Sequence, residues 1–149
     1  MKAVIQRVSH ASVVVEGRQV GNIQRGILIL LGIANDDVAY DLKRLIKKIV
    51  NLRIFDDQKG LMDLSIKDID GDVLIISQFT LYAEMKKGNR PSYIKAARSD
   101  LAIPLYENFI MEMERELGKS VQMGIFGADM KVTLLNDGPV TIIVDTKEW

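Results

Sequence analysis

The sequence predicts an α+β fold: a largely antiparallel, barrel-like β-sheet with two main helices packed on it, in one domain over residues 1–149. Three observations lead there. Short runs rich in Val, Ile and Thr, bounded by turn residues, fill the first third of the chain and return after residue 70. Two other segments repeat apolar residues at the spacing of a helical stripe. No linker, low-complexity tract or solenoid-length repeat divides the chain. The order is strands, helix, strands, helix, strands, read as an arrangement without βαβ alternation.

The first strand is expected over residues 3–8, where Gln6 and Arg7 interrupt an apolar run. Residues 12–15 are β-branched and lead through Glu16-Gly17-Arg18, a hairpin-turn candidate, into 19–23. His10, the single histidine, falls in the expected turn between the first two strands. Residues 27–33 form a continuous apolar run suited to a strand buried on both faces. Asn35-Asp36-Asp37 offers an N-cap and acidic first-turn residues. Val38, Leu42, Leu45, Ile46, Ile49 and Val50 then make one helical stripe, with Lys43, Arg44, Lys47 and Lys48 opposite as a solvated face.

Residues 52–55 read as a short strand and 56–60 as a turn. Residues 72–77 are a strong central strand running directly into Ser77-Gln78-Phe79-Thr80-Leu81. The second stripe is Ile103, Tyr106, Phe109, Ile110, Met113 and Leu117, with Pro104 expected in the first turn and Gly118 at the end. Strand character resumes over 121–126. Residues 131–135 and 140–144 flank Asn136-Asp137-Gly138-Pro139, which by itself reads as a β-turn between two strands.

Composition narrows the function. With 48% hydrophobic and 27% charged residues, the chain has the balance of a soluble globular protein with a real core. Lys+Arg and Asp+Glu are 20 each, so a nucleic-acid partner must be met by a local patch. The stretch 85–99 is such a patch: Lys86, Lys87, Arg90, Lys95 and Arg98 occur without an acid, and Tyr93 lies among them. Basic side chains with an interleaved aromatic suit a phosphate backbone and an unstacked base. The absence of cysteine removes disulfides, thiolate zinc sites and thiol nucleophiles, and fits a reducing cytoplasm. The longest purely apolar run, 27–31, is far short of a membrane span.

The familiar catalytic sets are missing. One histidine makes neither a zinc site nor a triad, and there is no phosphate-binding Gly-rich loop. No metal or cofactor is expected. What remains is Ser77, Gln78, Phe79 and Thr80 at the end of a buried strand, where backbone N–H groups can stabilise an oxyanion. Thr80 as a nucleophile would need a base that the sequence does not supply.

Ser77-Gln78-Phe79-Thr80-Leu81 and Asn136-Asp137-Gly138-Pro139-Val140-Thr141 resemble the two signature motifs of the D-aminoacyl-tRNA deacylases. The likeness extends to residues 3–8, 51–55, 87–92 and 126–130, in the same order. It implies a homodimer that hydrolyses the ester of a D-amino acid, or of glycine mischarged on tRNA for alanine. The active sites would lie at the subunit interface. It also implies that a cis Gly138-Pro139 enters the other subunit's pocket and rejects L-residues. The backbone at Ser77 and Phe79 would stabilise the oxyanion, and Gln78 would hold the terminal adenosine. Thr80 would position or attack, and Phe126 and Met130 would line the pocket. Arg7 would support the Gly-Pro loop. Lys86, Lys87 and Arg90 are the expected RNA contacts. Besides an editing esterase, the residues admit a Thr80-nucleophile hydrolase, a non-catalytic RNA-binding dimer and a plain structural dimer.

Overall fold

The computed structural model describes residues 1–148. Its order is β1 (Lys2–Val15), β2 (Arg18–Ile23), β3 (Gly26–Gly32), α1 (Ala39–Val50), β4 (Phe55–Asp56), β5 (Met62–Leu64), β6 (Asp72–Ser77), α2 (Ser99–Leu117), β7 (Gln122–Met123) and β8 (Met130–Asp145). β4 and β5 form a small separate ribbon. The main sheet runs β2-β1-β3-β6-β7, with β8 along the other side of β1. It curls into a nearly closed barrel in which β2 and β7 approach each other. Asn22 N–H reaches Gln122 Oε1 at 3.5 Å, and a Cβ on Gly21 would sit 3.0 Å from the Met123 carbonyl oxygen.

The sheet is mixed, which corrects the expected lack of βαβ units. β1 pairs antiparallel with β2, β3 and β8, but β3–β6 and β6–β7 are parallel. Parallel neighbours require a long crossover, and α1 and α2 supply the two crossovers. The β3–β6 pairing demands very close backbone approach: a Cβ on Gly26 would lie 1.8 Å from the Asp72 carbonyl oxygen. Only glycine fits there.

Both faces of β3 and β6 are apolar because both are covered. Ile27, Ile29, Leu31, Val73 and Ile75 face the helices, meeting Leu42, Leu45, Ile46, Phe109 and Met113. Leu28, Leu74 and Ile76 point into the barrel with Val8, Ala11 and Val13. Burying one such aliphatic side chain contributes about 1.5–3 kcal/mol, so this double-sided core dominates the stability.

The first two expected strands are one. His10 is not in a turn but in the middle of β1, opposite Leu135 and exposed. The pattern breaks there because the strand changes phase. Ala3 and Ile5 face the helix-side core, whereas Ala11 and Val13 face the barrel interior. The register shifts between Gln6 and Val8 and again between Val8 and His10. Similarly, β8 is one strand and not two strands joined by a β-turn. Gln6 pairs with Thr141 and Val8 with Asn136, so residues 137–140 stand off the ladder as a wide bulge.

The helix ends also differ from expectation. Asp41 rather than the Asn35-Asp36-Asp37 stretch caps α1, accepting from Val38 N–H at 3.1 Å. Asp37 is instead buried, accepting from Ala34 N–H at 2.7 Å and pairing with the Met1 ammonium at 2.6 Å. α2 begins at Ser99, so Pro104 lies inside the helix rather than at its start. Gly118 ends α2 with φ 70°, donating its N–H to the Glu114 carbonyl at 2.8 Å. The strand expected over 121–126 is confined to β7, and the one expected over 52–55 starts only at Phe55.

Candidate active site

The apolar run of β6 stops at Ser77, and the chain turns at once into a 3₁₀ turn, Phe79–Tyr82. The turn is pinned by Gln78, whose N–H donates to the Leu31 carbonyl at 2.8 Å at the end of β3. The Gln78 amide also donates to the Thr80 hydroxyl. Phe79 is the first residue of the turn, and the N–H of a first helical residue has no partner within it. The Gln78 N–H, by contrast, is committed to Leu31.

A cleft of about 270 Å³ opens beside this turn. Ser77, Gln78 and Phe79 form one wall, and Phe126 and Met130 from the segment ahead of and into β8 form another. The Tyr106 ring of α2 lies 5.7 Å from Phe126 and braces it. Tyr106 is itself fixed to β6 through a 2.9 Å bond from its hydroxyl to the buried Ile75 carbonyl. Burial raises its phenol to about 12, so the group stays a proton donor to that carbonyl.

Asp129 is the one titratable residue lining the cleft among the described residues. It is exposed and paired with Lys131 at 2.9 Å. No histidine or buried carboxylate among the described residues faces the cleft, and its one carboxylate, Asp129, is held by Lys131. Thr80 lies in the turn but not on the lining, and its hydroxyl accepts from Gln78. Sequence reading missed Asp129, Ala97 and Ala102 on the lining. The alanines come from the approach to α2 and its first turns, and no local pattern marks small side chains as pocket walls.

Gly138 and Pro139 do not line this cleft. They sit on the exposed bulge of β8, joined by a cis peptide bond, with Gly138 at φ 129°. Arg7 holds the bulge from below. It is only 7% exposed, and its Nε donates to the Asp137 carbonyl at 2.9 Å while Nη1 donates to the Ile54 carbonyl at 2.7 Å. Asp56 and Asp137 add carboxylates at 3.3 and 3.6 Å. The Asn136 side chain closes the bulge, accepting from Val140 N–H at 3.1 Å and donating to Thr141 Oγ1 at 2.8 Å. Lys86, Lys87 and Arg90 lie exposed on the loop beyond the turn, apart from the cleft lining. No group of acids and histidines among the described residues is arranged to hold a metal.

The family model described as D-Tyr-tRNA(Tyr) deacylase matches residues 4–145. The chain belongs to that family. Among its relatives, the D-aminoacyl-tRNA deacylase of Flavobacterium johnsoniae is 58% identical, over 99% of this chain and 98% of its own length. That of Bacteroides fragilis strain YCH46 is 60% identical over the same shares. A solved structure named c-Myc DNA Unwinding Element Binding Protein superposes with a TM-score of 0.91 at 40% identity, covering 97% of this chain and 98% of that one. A probable eukaryotic D-amino acid tRNA deacylase superposes at 0.83 with 17% identity, over 96% and 97%, and shows the shared fold. The chain is thus a hydrolase, and no helix among its described residues is long and apolar enough to cross a membrane.

Proposed function

We propose that the chain cleaves the ester joining a D-amino acid, or glycine, to the 3′ end of tRNA. It would act as a homodimer in which Gly138 and Pro139 of one copy face the Ser77–Met130 cleft of the other. The observation that carries this reading is the separation of the two motifs. The cleft holds Ser77, Gln78 and Phe79, while the second motif projects from an exposed, Arg7-braced bulge outside it. A second copy is the simplest way to bring them together.

The division of labour follows. Water adds to the ester carbonyl carbon, the bond to the ribose oxygen breaks, and that oxygen leaves with a proton. The cleft's one carboxylate, Asp129, is exposed and tied to Lys131, so the neighbouring ribose hydroxyl of the substrate assists proton transfer instead. The protein orients the ester and stabilises the developing oxyanion through backbone N–H groups, that of Phe79 first. Gln78 holds the terminal adenosine, and its bond to Thr80 fits a positioning role for Thr80. Phe126 and Met130 give the apolar floor. Lys86, Lys87 and Arg90 contact phosphates.

Selection of hand would come from backbone. An L-residue held by its ammonium and ester would drive its Cβ toward the Gly138-Pro139 wall. A D-residue turns its side chain away, and glycine has nothing to collide. A wall made of main chain is indifferent to side-chain type, as a proofreading enzyme needs.

The test is deacylation of D-tyrosyl-tRNA, L-tyrosyl-tRNA and glycyl-tRNA for alanine. Cleavage of the first and third with the L-ester intact is expected. Equal loss of both tyrosyl esters overturns the chiral wall. Thr80→Ala should keep substantial activity, whereas substrate lacking the ribose hydroxyl should lose nearly all of it.

A further inference from the structure

The loop that follows the 3₁₀ turn has a feature not absorbed by the cleft. Phe79 is 56% exposed and Tyr93 is 38% exposed, although the two rings touch. Their centroids are 5.0 Å apart at 76°, an edge-to-face pair. In that arrangement each ring keeps at least one face not covered by the other. Phe79 lines the cleft and Tyr93 does not, so Tyr93 is the next ring outward from the cleft mouth.

Tyr93 is firmly placed. Glu84 and Ser92 exchange two backbone bonds of 2.8 and 2.9 Å just before it. Ala96 N–H donates to the Tyr93 carbonyl at 2.9 Å, and the Asn35 amide donates to the Ile94 carbonyl at 2.8 Å. A partly exposed aromatic side chain on a braced loop is held in place before any ligand arrives, which is the condition of a preorganised contact surface.

The surrounding charge selects the partner. Glu84 is the only acid between Ser77 and Ser99, and it is shared by Lys95 at 2.9 Å and Lys86 at 3.7 Å. Lys87 and Arg90 make no ion pair among the described residues and are exposed. The loop therefore carries positive charge around an open aromatic face, a combination suited to a stacked base with phosphates on both sides.

We propose that Tyr93 is a stacking residue for the nucleotide immediately preceding the terminal adenosine, and so positions the single-stranded 3′ end over the cleft. This rests on the deacylase reading given above. Its consequence is that Tyr93 matters only for a substrate that possesses that nucleotide.

The experiment compares D-tyrosyl-tRNA with 3′-D-tyrosyl-adenosine, which ends at the cleft. Tyr93→Ala should raise KM for the tRNA substrate about tenfold with kcat retained, the scale of one lost base stack. It should leave the adenosine ester unaffected. Tyr93→Phe should restore the tRNA value, and Tyr93→Leu should not. Calorimetric binding of the trinucleotide CCA to each variant reads the same contact without turnover, with weaker binding expected for Tyr93→Ala. An unchanged KM and unchanged CCA affinity overturn the proposal. So does an equal loss on both substrates, which marks a structural role, or full rescue by leucine. Failure of the wild-type protein to cleave either ester would sink the deacylase reading itself, while CCA binding would still decide the role of Tyr93.

Discussion

Arg7→Leu is the most informative single substitution, because Arg7 joins three distant parts of the chain. The guanidinium donates to the carbonyls of Asp137 and Ile54 at 2.9 and 2.7 Å. Each bond from a charged donor contributes about 1.5–3 kcal/mol. The carboxylates of Asp56 and Asp137, at 3.3 and 3.6 Å, are each about half exposed. Ion pairs of that kind contribute below about 1 kcal/mol and are screened by salt. The carbonyl bonds therefore dominate, and their lower limits together give a loss of about 3 kcal/mol. For a chain of this size that corresponds to a fall in Tm of about 6–12 °C. Scanning calorimetry at neutral pH measures it, and hydrogen exchange over residues 136–141 should rise in the same variant as the bulge loosens. A Tm within about 2 °C of wild type would refute the reasoning. So would an equal fall in the Asp56→Ala, Asp137→Ala double variant, since that would assign the stability to the carboxylates.

Gly26→Ala is expected to give no folded protein by circular dichroism, since its Cβ would meet the Asp72 carbonyl oxygen at 1.8 Å and block the β3–β6 pairing. Gly138→Ala places a Cβ 2.8 Å from Val140 Cγ2 and 3.0 Å from Arg7 Nη2 at a φ that disfavours L side chains. It should leave the core folded while lowering deacylation of D-tyrosyl-tRNA by roughly five- to 150-fold, the range that about 1–3 kcal/mol of local strain corresponds to. Tyr106→Phe removes the bond to the buried Ile75 carbonyl and should cost about 1–3 kcal/mol in urea unfolding. The Asp41 carboxyl lies below its ordinary value of 3.8: burial pushes it up, but Val38 N–H, Lys147 and the N-terminal ammonium outweigh that. Its folded value is thus below its unfolded one, so its contribution is present above about pH 4 and is lost as pH falls through the folded value. Asp41→Asn should flatten the acid limb of stability below about pH 4, and because Asp41 is also one of the carboxylates that raise Lys147, a smaller change is expected on the alkaline limb.

Much of the fold is legible along the chain because it depends on neighbours in sequence. The period of Val38 to Val50 places α1, the unbroken apolar run of residues 27–33 marks a strand covered on both sides, and Gly118 stops α2. The two motifs and their likeness to the deacylases are likewise readable in order. Local pattern fails where the geometry depends on distant partners. The phase change through Arg7 and His10 reads as a turn, because inward and outward positions exchange inside one strand whose partner bulges. The residues 136–141 read as a β-turn because proline, glycine and aspartate are turn residues, and only the pairing of Gln6 with Thr141 and Val8 with Asn136 shows that they interrupt a single strand.

Local pattern was enough for the two helices, the buried strands around residues 27–33 and 72–77, and the two stretches that carry the family's signature. Only the tertiary structure decided that β3 and β6 run parallel in contact at Gly26. Only there does Arg7 bond across 130 positions to Asp137. Only there do Ala97, Ala102 and Asp129 join Ser77 and Phe79 around one cleft. Hydrophobic period and turn chemistry are properties of adjacent residues, whereas a pocket and a braced bulge exist only once the sheet has curled. The Gly138-Pro139 stretch belongs to that second level, as an exposed bulge standing away from its own cleft.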